Sequence, residues 1–193
     1  MMVMARGVDA RDPVTPKGRA TRQLLLDAGE TVAARDALAG LSIASVAAQA
    51  GVAKGTFYIY FDDRNSFVEA LRLSFYEHVE KALRAATADL PPGSEFLLAV
   101  AYGYLDVCLQ HAAMKALVVE ARASIGTSPS FTRLLDEFEA LVGPSLLATG
   151  RGPVAMSARL LVAMLSEVAM AEAERGDSDP EARLALRHWL SPD

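Results

Sequence analysis

The segment GVAKGTFYIYF, residues 51–61, decides which fold the sequence predicts, because its preferred secondary structure differs from that of the preceding residues. The segment ends in aromatic and β-branched residues, which favour strands: Phe57, Tyr58, Ile59, Tyr60 and Phe61. The preceding alanine-rich segment SIASVAAQA, residues 42–50, favours a helix. Taken alone, residues 57–61 are compatible with an edge strand, a core fragment or a surface that contacts a partner.

The composition limits the class of protein. The chain has 193 residues, of which 52% are apolar, so it is long enough to bury a substantial core. No apolar run approaches the roughly 18–20 residues needed to span a bilayer, and the N-terminus lacks the apolar stretch of a secretory signal. The charged, proline-containing segment 1–15 predicts a disordered leader. The single cysteine, Cys108, excludes an internal disulfide, fits a small buried apolar residue better than a nucleophile, and favours a cytoplasmic location.

The charges are unevenly distributed. The net charge is −5, which by itself argues against nucleic-acid binding. Residues 1–64, however, hold eight Lys and Arg against seven Asp and Glu, whereas residues 65–193 hold eleven against seventeen. A nucleic-acid site is therefore expected in the first third of the chain.

The remaining sequence favours helices throughout, with about nine in total and no convincing strand, and so predicts an all-α fold. Thr15 and Pro16 form a helix start, and Leu24, Leu25, Ala28 and Val32 give the first helix an apolar stripe. We expect a three-helix, helix-turn-helix domain over residues 16–62 and a larger ligand-binding and dimerisation domain over residues 63–193. The segment 94–110 is apolar nearly all round, which predicts an enclosed central helix.

Residues 42–61 have the sequence requirements of a helix-turn-helix. Ser42 caps a first short helix, and Gly51 permits the turn that ends it. Phe57 and Phe61 lie four residues apart and share one face if the second segment is helical, so packing of that face overrides the preference for a strand. Tyr58 is then left to face outward.

The residues that face outward are suited to duplex DNA. Lys54, Gly55 and Thr56 occupy the first turn of the second helix, where base edges are reached if that helix enters a major groove. Gly55 allows close approach of the backbone, and Thr56 offers a hydroxyl and a methyl group. Tyr58, Tyr60 and Ser42 suit phosphate oxygens, while Arg64, Lys17 and Arg19 supply positive charge. The alternative is a set of exposed tyrosines in an ordinary helical corner.

These residues carry a family resemblance. The segments LLLDAGETVA and SIASVAAQAGVAKGTFYIYFDDRNSFVEAL, between residues 20 and 71, resemble the DNA-binding domain of TetR-family transcriptional repressors. The specific part is G-V-x-K-G-T-[LF]-Y-x-[HY]-F at residues 51–61. Chain length and helix count agree with the whole architecture, although only the first third shows the resemblance in its residues.

The resemblance implies the roles of individual residues. Ser42 and Thr56 would contact the DNA backbone, Lys54 and Gly55 would approach bases or backbone, and Tyr58, Tyr60 and Arg64 would bind phosphates. The chain departs from the family where Arg, Ser, Gly and Phe are common, namely at Ala44, Ala53, Ala37 and Ala33. Base reading from Ala44 and Ala53 is therefore in doubt.

The resemblance also implies a homodimer formed by the last two long helices. The residues support this independently, because a wide apolar stripe and a terminal tryptophan need cover. The alternative is that the stripe packs only within one subunit. The expected interface residues are Leu160, Leu161, Met164, Leu165, Val168 and Trp189.

The family resemblance also implies a pocket that binds a small effector. Its mostly apolar lining suggests a hydrophobic or aromatic ligand, although core packing is an open alternative at each position. The candidate residues are Phe75, His78, Tyr102, Asp106, Met114, Phe131 and Met164. Glu120 and Arg122 form either a buried pair or surface charges. The three histidines lack metal-ligand spacing, so no metal and no cofactor is expected.

The sequence therefore predicts a ligand-responsive repressor that binds a near-palindromic, double-stranded DNA operator as a homodimer. No nucleophile–base pair, paired carboxylates or metal cluster is recognisable, so we do not expect an enzyme. The alternative function is an all-helical small-molecule-binding module that does not bind DNA.

Overall fold

The computed structural model of the chain describes residues 13–125 and 129–191, and their side chains over 13–120 and 131–191. Within these ranges it contains nine α-helices and no strand, which confirms the all-α prediction. The helices are α1 Pro16–Gly40, α2 Ile43–Gln49, α3 Lys54–Tyr60, α4 Arg64–Thr87, α5 Ser94–Gln110, α6 Ala112–Ile125, α7 Pro129–Ala148, α8 Val154–Arg175 and α9 Pro180–Leu190. The predicted disordered leader falls almost wholly outside the described residues.

The chain divides into two compact units. The first contains the described residues through Phe75 together with the part of α6 from Ala116 onward. The second contains Tyr76–Lys115 and the described residues from 129 to the end of α9. The domain boundary predicted at residue 62 stays a prediction.

Three phenylalanines form the centre of the first unit. Phe57, Phe61 and Phe67 are at most 2% exposed, and their ring centroids lie 4.9–5.3 Å apart. Burying one such ring stabilises the folded state by about 2–3 kcal/mol. This cluster explains why residues 54–60 form a helix, because only a helical turn brings Phe57 beside Phe61.

Glycine in α1 makes room for this cluster. A Cβ atom at Gly29 would lie 2.5 Å from Cζ of Phe67, whose ring is itself enclosed by Phe57 and Phe61. The buried stripe of α1 consists of Leu25, Leu26, Ala28, Gly29, Val32 and Ala33. The stripe predicted from the sequence was wrong at Leu24, which is 45% exposed, because the helix turns Leu26 and Gly29 inward instead.

Local capping follows the sequence closely. The Thr15 hydroxyl accepts from the N–H of Gly18, and the hydroxyls and N–H groups of Ser42 and Ser45 form a reciprocal cap at the start of α2. Gly51 ends α2 in the left-handed region at φ 66°, where glycine is unstrained. Asp63 accepts from the N–H of Ser66 at the start of α4.

The second unit is arranged around α5, which packs against α7, α8 and α9. Seven of its residues are buried, among them Leu97, Leu105 and Cys108, which fits the enclosed central helix expected from the sequence. An 18-residue window of α8 has a mean hydropathy of 1.6, so this helix is long and apolar enough to cross a bilayer by length and composition alone. The sequence analysis did not expect any segment to be. Only 22% of that window is buried within the chain, so α8 presents an apolar surface.

Replacement of Gly29 tests the aromatic cluster. We expect Gly29→Ala to lower the free energy of unfolding by about 1–3 kcal/mol, because the added methyl group collides with an enclosed ring. Gly55→Ala is the matched control, since a Cβ there meets nothing within 4 Å and the change leaves stability equal or up to about 1 kcal/mol higher. The measurement is urea unfolding followed by circular dichroism. Equal midpoints for both variants would show that the Phe67 ring yields freely.

Candidate functional site

Helices α2 and α3 and the turn between them form a helix-turn-helix. The N–H of Val52 donates to the carbonyl of Ala47 at 3.0 Å, and the N–H of Gly51 donates to that of Ala48 at 3.1 Å. Both bonds fold the chain back immediately after α2, and α3 packs against α2. The turn is therefore fixed by backbone bonds that depend on the left-handed conformation of Gly51.

The first turn of α3 presents its side chains to solvent. Lys54 and Gly55 are exposed, and Thr56 is half-buried. One turn further, Tyr58 is 45% exposed and Tyr60 is half-buried, whereas Phe57 between them is completely buried. The structure thus places the predicted α3 contact residues on the accessible part of this helix, with the phenylalanine as its anchor.

Further predicted phosphate contacts lie at helix starts. Lys17 and Arg19 are exposed in the first turn of α1, and Nη1 of Arg19 donates to the carbonyl of Val14 at 2.7 Å. Ser42 is exposed, but its hydroxyl is already used in the cap of α2. DNA contact by these residues stays a prediction.

Arg64 has a structural role that the sequence analysis did not anticipate. Its Nε donates to the carbonyl of Leu41 at 2.6 Å, and its Nη2 donates to that of Leu38. These carbonyls lie where α1 ends, so the guanidinium closes that end. Three of the five guanidinium N–H donors remain for a phosphate.

The end of α1 is also bent at Ala37, which has φ 53° and ψ −165°. This is the position where the sequence departs from the family's glycine, and alanine is strained in this region. The bend leaves the N–H of Leu38 without its helical acceptor, and Oε2 of Glu120 from α6 accepts it at 3.1 Å. Glu120 therefore satisfies the N–H that follows the bend. The side chain of Arg122, the other residue of the predicted pair, lies outside the described residues.

The apolar surface of the second unit lies on α8 and α9. Leu160 is 52% exposed, Trp189 is 40% exposed, and Met164 and Val168 are half-buried. The predicted interface has to be corrected at Leu161 and Leu165, which are at most 1% exposed because they face the interior of their own chain. The sequence analysis missed other exposed apolar residues, namely Leu147, Met156 and Leu184.

The predicted effector residues differ in their exposure. His78 is exposed and stacks on His111 with ring centroids 4.8 Å apart, and the side chain of Asp106 is 55% exposed. A role of either residue in an effector pocket stays a prediction. Phe75, Met114 and Phe131 are buried, and Tyr102 and Met164 are half-buried. A groove of about 570 Å³ on α7 and α8 has a different lining: Asp136, Glu139, Ala140, Gly143, Pro144, Leu147 and Val154.

Asp106 instead joins an ionic network that fixes α9. Arg183 donates from Nε and Nη2 to the two carboxylate oxygens of Glu172, at 2.7 and 2.9 Å, and from Nη1 to Asp106 at 2.8 Å. Burial of the Glu172 carboxylate acts to raise its pKa, but the hydrogen bonds from Arg183 and Asp179, with the guanidinium charge, hold that pKa below its usual range. Glu172 is therefore ionised inside the unit at neutral pH.

A second polar group lies on the other side of α5. Lys115 is 4% exposed, and its Nζ donates to the hydroxyl of Tyr104 at 2.8 Å and to that of Ser166 at 3.2 Å. Burial raises the pKa of the neighbouring Cys108 thiol to about 11, so this cysteine is a protonated core residue at neutral pH. The sequence analysis missed Lys115 and Ser166; the signal was a polar residue within each apolar helical segment.

In the described part of the chain, no group of three or more metal-ligating side chains comes together.

The fold and the α2–α3 site define a helix-turn-helix protein with a helical body. Residues 25–71 match the model of bacterial regulatory proteins of the tetR family. Over these residues the chain carries a helix-turn-helix domain similar to that of the tetR-family regulators.

A curated regulator and several solved structures are similar to this chain. The HTH-type transcriptional regulator BetI from Serratia proteamaculans (strain 568) is 30% identical over 116 residues, which cover 58% of this chain and 58% of that regulator. The multidrug binding protein EbrR, solved with imidazole, has a TM-score of 0.71 at 21% identity over 96% of this chain and 98% of that one. A transcriptional regulator from Rhodococcus sp. RHA1 has a TM-score of 0.74 at 20% identity over 88% and 93% of the two chains. The two structures show a shared fold.

Replacement of Arg64 tests the structural role of its guanidinium at the end of α1. We expect Arg64→Ala to lower the free energy of unfolding by about 1–3 kcal/mol, because the carbonyls of Leu38 and Leu41 lose their donors. Lys54→Ala, at an exposed position, should change it by less than about 0.5 kcal/mol. Thermal and urea unfolding measure both. Unchanged stability of the Arg64 variant would mean that these two hydrogen bonds contribute nothing.

Proposed function

We propose that this protein is a transcriptional repressor that binds a near-palindromic operator as a homodimer and is released by a small, hydrophobic or aromatic effector. The observation that carries the DNA-binding part is the arrangement of α3. Phe57 is buried beside Phe61 and Phe67, so Lys54, Gly55 and Tyr58 of the same short helix are held toward solvent. A recognition helix needs this combination of an anchored face and a free face.

The chemistry of that free face fits a duplex. Lys54 supplies a charge for phosphate, the open space at Gly55 permits close approach of the backbone, and Tyr58 carries a phenolic hydroxyl on a rigid ring. Lys17 and Arg19 add positive charge in the same unit. Charge-based binding of this kind weakens as salt rises, because neutralised phosphates release their counterions.

The homodimer is proposed from the exposed apolar residues of α8 and α9. Leu160, Leu184 and Trp189 are each at least 40% exposed, and a surface of this kind is normally covered. A two-fold axis through such an interface duplicates α3, so the operator would contain two half-sites one helical turn apart, about 34 Å. Cytoplasmic location follows from the same proposal.

The effector acts only through unequal affinity for two states of the dimer. Helix α4 is the proposed lever, because it starts in the first unit and continues into the second without interruption. An effector that favours the state with the wrong spacing of the two α3 helices would release the operator. A binding module without DNA affinity is the competing function, and the next experiment separates the two.

Lys54 is the most direct test of operator binding. Using fluorescence anisotropy with duplex DNA from upstream of the protein's own gene, we expect Lys54→Ala to weaken binding about tenfold, and the slope of log affinity against log salt to fall by about 1. Lys81→Ala is the matched control, since Lys81 is an exposed lysine of α4, and it should bind like the wild type. Absence of binding by the folded wild type at low salt would refute the proposal in favour of the module.

Leu160 tests the dimer. We expect Leu160→Glu to convert the protein to a monomer in size-exclusion chromatography with light scattering, because a charge in an apolar interface is left unpaired. Ile59→Glu is the control: Ile59 is 65% exposed on α3, outside the proposed interface, and this variant should remain dimeric. A Leu160→Glu protein of unchanged mass would rule out this face as the dimer interface.

A further inference from the structure

Helix α4 contains an arginine where an apolar residue would be expected. Arg72 is 1% exposed, and its neighbours Val68 and Leu71 are equally buried. A guanidinium removed from water is costly unless its donors are satisfied. The hydrogen bonds of Arg72 therefore indicate what this side chain is for.

Only part of the guanidinium is satisfied. Nη1 of Arg72 forms an ion pair with Oε2 of Glu69, one turn earlier, at 3.2 Å. Nε and Nη2 are inaccessible to solvent, and neither has a hydrogen-bond acceptor among the described side chains (residues 13–120 and 131–191) or the described backbone. Two charged donors on the same edge of one planar group are thus buried without an acceptor from the described chain.

The chemistry of that edge is specific. The Nε–H and Nη2–H bonds of an arginine run parallel, at a spacing that matches the two oxygens of a carboxylate. This chain shows the matching arrangement elsewhere, because Arg183 uses its Nε and Nη2 to bind both oxygens of Glu172 at 2.7 and 2.9 Å. The same edge of Arg72 lacks such a partner.

We propose that the Nε/Nη2 edge of Arg72 binds the carboxylate of a small organic acid with an apolar body. Oε2 of the nearby Glu69 is paired with Nη1, whereas its Oε1 is buried without a hydrogen-bond donor. The pair is neutral overall and therefore accepts a monoanion more readily than a phosphate dianion. Val68 and Leu71 of the same helix are buried apolar residues, so the acids to be tested carry a hydrocarbon or aromatic body. The acid is then the effector, a conclusion that rests on the proposed function, whereas the binding site itself does not.

The same helix offers a matched control. Arg84 is paired with Glu80 at the i and i+4 positions, but its side chain is 46% exposed and its Nε and Nη2 both donate to that glutamate. It is an ordinary surface ion pair. Arg84→Met therefore removes an arginine from α4 without removing the proposed site.

The experiment is a thermal shift and calorimetric titration of the full chain with benzoate, phenylacetate, hexanoate and octanoate, each beside its primary amide, and with inorganic phosphate. We expect one or more of the acids to raise the Tm of the wild type while its amide and phosphate do not. Arg72→Met should abolish this shift, Arg72→Lys should weaken the binding at least tenfold by losing the two-donor edge, and Arg84→Met should respond like the wild type.

Several results would overturn the proposal: no shift with any of the four acids, equal shifts with acid and amide, a shift with phosphate alone, or an unchanged response of the Arg72 variants. Without added acid, Arg72→Met should be at least as stable as the wild type, because two buried donors without acceptors are removed. If this variant does not fold, Arg72→Lys decides alone.

A parallel measurement of operator binding separates this proposal from the regulator proposal. If the acids bind through Arg72 but leave operator affinity unchanged, the site stands and the effector role fails. If the acids bind and the protein has no operator affinity at all, the site again stands and the repressor proposal fails. If operator binding is normal and no acid binds, only the Arg72 site is refuted.

Discussion

Packing of three phenylalanine rings against a glycine of α1 is the constraint on which the first unit depends. Phe57 and Phe61 meet only when residues 54–60 form a helical turn, and Phe67 reaches them only because Gly29 has no side chain. The energy of burying these rings exceeds the strand preference of residues 57–61, which spans about 1 kcal/mol per residue at most. The same packing turns Lys54 and Tyr58 outward, so the proposed recognition surface is a consequence of the core.

At the end of α1, polar side chains form hydrogen bonds with backbone groups that have no partner within the helix. The bend at Ala37 exposes backbone groups, and two distant side chains satisfy them: Glu120 accepts from the N–H of Leu38, and Arg64 donates to the carbonyls of Leu38 and Leu41. A residue that resembles a phosphate ligand in the sequence thus also holds the helix-turn-helix in place.

Arginines in this chain differ in how fully their donors are used, and that difference carries functional information. Arg183 donates from each of its three guanidinium nitrogens, to Glu172 and Asp106, and so fixes α9. Arg84 forms an ion pair with Glu80 on the surface, where its side chain is also in contact with solvent. Arg72 is buried with one edge unsatisfied, which costs stability in the chain by itself. Unsatisfied buried donors are rare in folded proteins, and a binding role for this edge accounts for their presence.

The sequence by itself determined the features that depend on neighbours a few residues apart. The cap at Thr15, the paired serines at the start of α2, the turn at Gly51 and the all-α class all follow from such local patterns. The motif at residues 51–61 likewise indicates the tetR-type DNA-binding domain that residues 25–71 match. Tertiary structure decided the rest. A rotation of α8 by one residue separates exposed Leu160 from buried Leu161, and the amphipathic pattern does not resolve it. The partners of Arg64, Lys115 and Asp106 lie 23 to 77 residues away or on other helices, and no local pattern encodes such contacts, because they form only when the helices pack.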